Sequence, residues 1–205
     1  MPLLNVFLRI DEQLFFLLNS LPHTVFLDQV FLFFSFYPLV IWSLIGLVVL
    51  FIEEKKEHWF IIRLILALSV AGLLASGVIK PLIKRPRPDI SFGTQVVIVN
   101  EKPAALPWNN DFAFPSGHAA VAFAGAYTLM REETGDQHGS DHTKKGRRSL
   151  RVLFFTFATL TAVSRIYLGK HYPLDVLVGG FLGWGVGFLS WKIVDLKTAI
   201  SFRTS

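Results

Sequence analysis

The chain has 205 residues, of which 52% are hydrophobic, 14% aromatic and only 17% charged, with a mean hydropathy of +0.49. Soluble domains carry roughly a quarter charged residues. This composition therefore excludes a disordered chain, a fibrous repeat and most cytosolic folds, and leaves one membrane-embedded domain over residues 1–205. The formal net charge is +5 and the isoelectric point about 9.6. In a membrane chain Lys and Arg mark the cytoplasmic loops, so no nucleic-acid partner is expected. Cysteine is absent, which removes disulfides, thiolate metal sites and cysteine nucleophiles. The N-terminus shows no cleavable signal peptide, because charges interrupt its apolar run.

Residues 3–21 mix apolar positions with Arg9, Asp11 and Glu12. Each such charge costs about 2.5–3.5 kcal/mol at the centre of a membrane helix. An amphipathic helix lying in the interface is favoured over a first membrane helix, with a break at Pro22 and His23. Residues 26–52 read as the first clear span and residues 59–79 as the second, separated by a charged knot at 53–57. Pro81, Pro86 and Pro88 then forbid a continuous helix. Residues 80–115 form a long polar loop whose Val-rich stretch at 96–99 reads as a short strand. Residues 116–130 form a shorter helix rich in Ala and Gly. Residues 150–168 and 174–194 are the last spans. The expected fold is all-α: an integral membrane helical bundle of five to six transmembrane helices.

Topology follows from the loops. The 53–58 turn, the 131–151 loop and the basic tail share one side and are placed in the cytoplasm. The 80–115 and 169–173 connections then face outward. Their basic cluster at 80–87 violates the positive-inside rule, and an anionic ligand is the natural reason. His138 and His142, with Asp136 and Asp141, fall in the polar 131–151 loop and read as solvated rather than as a metal site. The Gly179, Gly180, Gly183 and Gly187 run permits close helix packing, with a homodimer face as the lesser reading.

Three clusters carry chemistry, and all map to the outer side. The first is Lys80, six residues, then Arg87–Pro88. The second is Pro115–Ser116–Gly117–His118. The third is Ser164–Arg165, five residues, His171, three residues, Asp175. Taken singly, each has an ordinary explanation: a flanking charge, a helix start, an interfacial histidine. Together they assemble an anion site. Lys80, Arg87 and Arg165 supply positive charge, the Arg forks matching phosphate oxygens. Ser116 occupies an N-cap position, and the free N–H groups of Gly117 and His118 face outward from a positive helix end. His171 and Asp175 are spaced i,i+4, so the carboxylate can orient the ring and sharpen its other nitrogen as a nucleophile. His118 can protonate a leaving oxygen. Neither a carboxylate set for Mg²⁺ nor a His/Cys set for zinc is present in these clusters.

These motifs resemble the signature of the type 2 phosphatidic acid phosphatase family, membrane lipid phosphatases whose site is related to that of the vanadium haloperoxidases. The family signature Lys-x6-Arg-Pro, Pro-Ser-Gly-His, Ser-Arg-x5-His-x3-Asp occurs here in order without a mismatch. The resemblance implies that His171 forms a phosphohistidine, Asp175 orients it, and His118 acts as general acid and then activates water. It implies that Lys80, Arg87, Ser116, Gly117 and Arg165 hold the phosphoryl oxygens, with no metal and no cofactor. The expected substrate is a membrane lipid phosphate. Undecaprenyl diphosphate is the first choice, from chain size, the outward site and the extra charge of Lys84 and Arg85. Phosphatidylglycerol phosphate, the lipid A 1-phosphate group and phosphotransfer to a second lipid are the alternatives. The expected location is the cell (inner) membrane, multi-pass, with an extracytoplasmic site.

Overall fold

The computed structural model describes the backbone of residues 2–36, 38–52, 58–99, 112–132 and 141–204. The helices are α1 (Pro2–Asn19), α2 (Val25–Ser35), α3 (Pro38–Ile52), α4 (His58–Gly72), α5 (Lys80–Ile83), α6 (Pro88–Phe92), α7 (Gly117–Glu132), α8 (Asp141–Tyr167) and α9 (Pro173–Thr204). No strand forms among the described residues. Val97 instead pairs with a side chain: its N–H donates to Asn19 Oδ1 at 2.9 Å and its carbonyl accepts from Asn19 Nδ2 at 2.8 Å. The Val-rich segment thus satisfies its backbone groups at Val97 without a partner strand.

Among the described residues, three helical stretches are long and apolar enough to cross a membrane: Phe60–Ile83, Ser149–Tyr167 and Pro173–Val194. A fourth arises if α2 and α3, bent by 69° at their junction, count as one span. The expected straight span over 26–52 is therefore broken near Phe36. The helix α7 has 16 residues, about 24 Å at 1.5 Å per residue, short of the ~30 Å hydrocarbon core.

The break expected at Pro81 does not occur. The helix widens into a π-helical stretch over Leu73–Ile79 and continues through α5, with Lys80 N–H donating to Ala75 O. Proline removes one backbone donor and crowds the carbonyl four residues back. A wide turn just before it relieves both. The helix stops at Lys84, whose left-handed φ of 53° turns the chain back on itself.

The helices α4, α7 and α9 pack through small residues. A Cβ on Gly179 would collide with Ser116 O, and one on Gly183 with Ala120 O, while one on Gly187 would lie 3.1 Å from Ala124 O. The glycine stripe of α9 is therefore spent on α7 inside the chain. Around it, Trp42, Phe60, Leu64, Leu68 and Phe154 close an apolar core against the alanines of α7.

The helix α1 is not among the long apolar stretches. Its buried face is Asp11, Phe15 and Asn19, spaced i, i+4, i+8, while Phe7, Leu14 and Leu17 are exposed. Asn19 also donates to Tyr167 O at 2.9 Å, at the end of α8. This helix docks on the end of the bundle where α8 stops and α9 starts.

Candidate active site

The short helix α5, the start of α7, the end of α8 and the start of α9 meet at one end of the bundle. Local backbone chemistry fixes each. Ser116 caps α7: its Oγ accepts from Ala119 N at 3.4 Å, and its own N–H donates to Asp175 O at 2.9 Å. The cap thus also ties α7 to α9. Gly169, with φ of +74°, ends α8 in the left-handed conformation that glycine allows. The turn folds back so that the N–H groups of Lys170 and His171 both donate to Arg165 O, at 3.0 and 3.1 Å. Arg165 and His171 are six residues apart in sequence and neighbours in space for this reason. Pro173 opens α9 at the first helical position.

The residues singled out in the sequence are brought together. His171, Asp175, Arg165, Lys80 and Ser116 are all buried. His171 lies within electrostatic reach of Lys80, Arg165 and Arg87, and His118 within reach of the same three cations and of His171. The main influence on His171 is its burial, reinforced by those cations and opposed by the Ala113 carbonyl, which leaves the ring neutral well below the ordinary histidine range. A neutral imidazole is the nucleophilic form. Gly117 sits against Ser76 on the π-helical stretch, where an added Cβ would lie 2.5 Å from Ser76 Oγ.

Asp175 departs from the simplest expectation. Its Oδ2 accepts from Tyr172 N at 2.8 Å and stands 3.7 Å from His171 Nδ1. That is an ion-pair distance rather than a hydrogen bond. His171 Nδ1 is buried without a hydrogen-bond partner. Such contacts commonly lengthen in the absence of substrate and tighten on binding.

Sequence reasoning left Lys84 and Arg85 open between a second phosphate and lipid headgroups, and treated Asp11 only as a membrane-depth charge. Arg85 does neither job. Its Nη1 donates to Asp175 Oδ1 at 2.8 Å, its Nη2 donates to Asp11 Oδ2 at 2.6 Å, and its Cζ lies 3.9 Å from the Tyr172 ring centroid. Ser35 was also missed; its Oγ accepts from Arg165 Nη1. The available signal for Asp11 was its place on the Phe15 and Asn19 stripe. Nothing comparable marked Ser35. His138 lies outside the described residues, as does the side chain of His142.

A buried imidazole thus stands beside a carboxylate and within electrostatic reach of three cations at one end of an apolar helix bundle. The PAP2 superfamily profile matches residues 59–199, and the chain belongs to that superfamily. It is 29% identical over 196 residues to a lipid A 4'-phosphatase of Bacteroides thetaiotaomicron, covering 90% of this chain and 78% of the relative. It is 30% identical to an undecaprenyl-diphosphatase of Sulfolobus acidocaldarius, covering 68% of this chain and 57% of the relative. The crystal structure of LpxE from Aquifex aeolicus superposes with a TM-score of 0.62 at 30% identity, covering 88% of this chain and 93% of that one. The chain is a multi-pass membrane lipid phosphatase of this superfamily.

Proposed function

We propose that the chain hydrolyses a lipid phosphomonoester or diphosphate at the extracytoplasmic face of the cell membrane through a phosphohistidine on His171, with undecaprenyl diphosphate as first-choice substrate. The observation that carries this reading is the buried, neutral His171 within reach of Lys80, Arg87 and Arg165, with Asp175 behind it. A ring nitrogen of His171 attacks phosphorus while the bond to the lipid oxygen breaks. Burial and then the same cations also lower the proton affinity of His118; the negative charge of the bound phosphate offsets them, and His118, so charged, gives its proton to the leaving oxygen. In the second half, His118 takes a proton from water, the oxygen of which displaces His171 and releases phosphate. The three cations and the N–H groups at the start of α7 neutralise the phosphoryl oxygens, acting before any charge develops. Asp175 holds the ring tautomer.

An apolar groove of about 460 Å³ supports a lipid substrate. It is lined by Phe123, Ala162, Ile166, Pro173, Val176 and Gly180 among others. Ile166 and Val176 adjoin Arg165 and Asp175 in sequence, so the groove reaches the level of the site along α8 and α9, where it can take a hydrocarbon tail. A lipid A phosphate is the second reading, favoured by the relative that aligns over most of both chains.

The test is phosphate release by purified protein in detergent with EDTA. Undecaprenyl diphosphate, phosphatidylglycerol phosphate, phosphatidic acid and lipid A are offered side by side, with His171→Ala as control. Metal-independent release from undecaprenyl diphosphate, absent in the variant, is the expected result. Preferential release from lipid A selects the second reading, and release that persists in the variant removes His171 as nucleophile. Phosphate that moves to another lipid without release identifies a transferase. The side is tested separately. The chain has no cysteine, so Thr94→Cys at an exposed position of the 80–115 segment is expected to react with an impermeant maleimide on intact cells.

A further inference from the structure

The phosphatase reading leaves two charges unexplained, the buried Asp11 and the partly buried Arg85. Arg85 has both terminal nitrogens on carboxylates, Asp175 at 2.8 Å and Asp11 at 2.6 Å, and one face on Tyr172. A guanidinium so occupied has no fork left for phosphate. Asp11 in turn is bound at both oxygens: Oδ2 accepts from Arg85, and Oδ1 accepts from Leu174 N at 2.7 Å. Leu174 lies in the first turn of α9, whose N–H groups have no partner within the helix. Asp11 therefore caps the helix that carries Asp175, and at the same time grips the arginine that grips Asp175. The backbone of Arg85 is pinned as well, since its carbonyl accepts from Ala113 N at 2.7 Å.

We propose that Asp11 and Arg85 are positioning residues for the hydrolysis, forming a clasp that holds the Asp175 carboxylate toward His171 and makes α1 a working part of the site. The proposal rests on the phosphohistidine reading above. The physical need is specific. Lys80 is within electrostatic reach of Asp175. A free carboxylate would swing to that ammonium, neutralise a phosphate-binding cation and abandon the His171 ring. Arg85 occupies Oδ1 and Tyr172 N occupies Oδ2, so the carboxylate plane is fixed and Oδ2 stays on the His171 side. Asp11 supplies the second anchor that stops the Arg85 side chain from following a phosphate into the cradle. The chain of Asp11, Arg85 and Asp175, two negative charges and one positive, also leaves a net negative charge on the Nδ1 side of His171.

The variants are Asp11→Asn, Asp11→Glu and Arg85→Lys. Asn keeps the size and can still accept from Leu174 N, but loses the charge that Arg85 needs. Lys keeps the charge of Arg85 but puts its donors on one nitrogen, so it cannot hold the two carboxylates in the same geometry. Each variant is assayed in detergent on whichever of the four lipids above the wild type hydrolyses fastest. Quenching in alkali at single turnover preserves the acid-labile phosphohistidine and counts its sites, so kcat is expressed per competent site. Loss of fold lowers the site count, whereas lost positioning lowers the rate at unchanged count. The expected result is kcat per site down by about tenfold in Asp11→Asn, in line with outer partners of other oriented histidines. For Arg85→Lys it is about 100-fold, the cost of a misplacement near 1 Å. KM is expected to stay within about twofold, because the phosphate cradle is untouched, and Asp11→Glu recovers most of the rate. Wild-type turnover abolished by His171→Ala, with full kcat per site in both Asp11→Asn and Arg85→Lys, overturns the clasp and leaves the phosphatase reading standing. A lower site count with normal kcat makes the pair a purely structural anchor and also overturns it. A wild type that forms no phosphohistidine on any of the four lipids overturns the underlying reading and the clasp with it.

Discussion

The two ends of the helix bundle use the same residue type in opposite ways. At the site end, Arg85 is held between two carboxylates, over Tyr172, and Arg165 donates to Ser35 Oγ. At the other end, Arg63 and Arg131 lie 5.5 and 4.2 Å from the ring centroid of a single indole, Trp191. Arg131 also falls in the last turn of α7, where a cation complements the helix dipole. Forked hydrogen bonds fix an arginine in direction, while contact with an aromatic face fixes it only in place. At the site end the described contacts of Arg85 are directional; at the far end the ring of Trp191 gathers two cations where apolar surface meets water.

If that contrast is right, the site end carries the largest effects. His171→Gln is expected to lower turnover by at least about 10⁴-fold, since removing a nucleophile removes the whole covalent route. His118→Gln is expected to lower it by about 10²–10⁴-fold. It should differ in kind: with a good leaving group, phosphohistidine forms and then persists, seen as acid-labile phosphate on the protein. Equal turnover losses with no trapped phosphate in His118→Gln would break the assignment of roles.

The middle of the bundle gives the next effect, and it is on stability. Gly183→Ala drives a Cβ into the Ala120 carbonyl, whereas Gly185→Ala meets nothing within 4 Å. The first is expected to cost about 1–3 kcal/mol as α9 is pushed from α7. The second is expected to stabilise by up to about 1 kcal/mol, the helix propensity of Ala over Gly. Thermal melts in detergent read both. Since Gly179 packs on Ser116 O in the same stripe, loosening α9 also reaches the site, and Gly183→Ala should lose activity before it unfolds.

How far these features were legible depends on their range. The i,i+4 pair His171 and Asp175, the Ser116 cap and the Pro173 helix start are local, and the sequence pattern reached all of them. That Lys80, Arg87 and Arg165 gather around His171 was legible because basic residues clustered at the ends of apolar helices call for a shared reason. Asp11 was not legible, because its partner Arg85 lies 74 positions away. A lone charge on an apolar helix reads as a cost until its counter-charge is found. Pro81 misled for the opposite reason. A local rule predicted a break, and the π-helical stretch before it, packed against α7 through Ser76 and Gly117, overrode the rule. The Val96–Val99 strand failed because Asn19 provided the pairing that a strand would have had to supply.

A smaller effect sharpens the electrostatics of the site end. His171 is neutral in the fold well below the ordinary histidine range, chiefly through burial and then through Lys80, Arg165 and Arg87. The unfolded chain takes up that proton near pH 6.5, so the unfolded state binds more protons as pH falls below that value. Stability contributed by a neutral buried His171 is thus present above about pH 6.5 and is lost on acidification below it. The melting temperature of the wild type is expected to fall more steeply between pH 7 and pH 5 than that of His171→Gln. Parallel slopes would mean that His171 is protonated in the fold, which the surrounding cations oppose.

The smallest effect belongs to the far end, and it is the control on the whole contrast. Arg131→Gln removes the cation nearest Trp191 while Arg63 remains over the same ring. A cation–π contact at a partly open site is worth about 0.5–1 kcal/mol, so the melt should shift by no more than a few degrees. Turnover per site should stay at the wild-type value, because Arg131 lies at the opposite end of α7 from Ser116 and Gly117. A loss of kcat per site in Arg131→Gln comparable to that in Arg85→Lys would therefore show that rigidity runs the length of α7, and that the two ends are one mechanical unit rather than a site and its support.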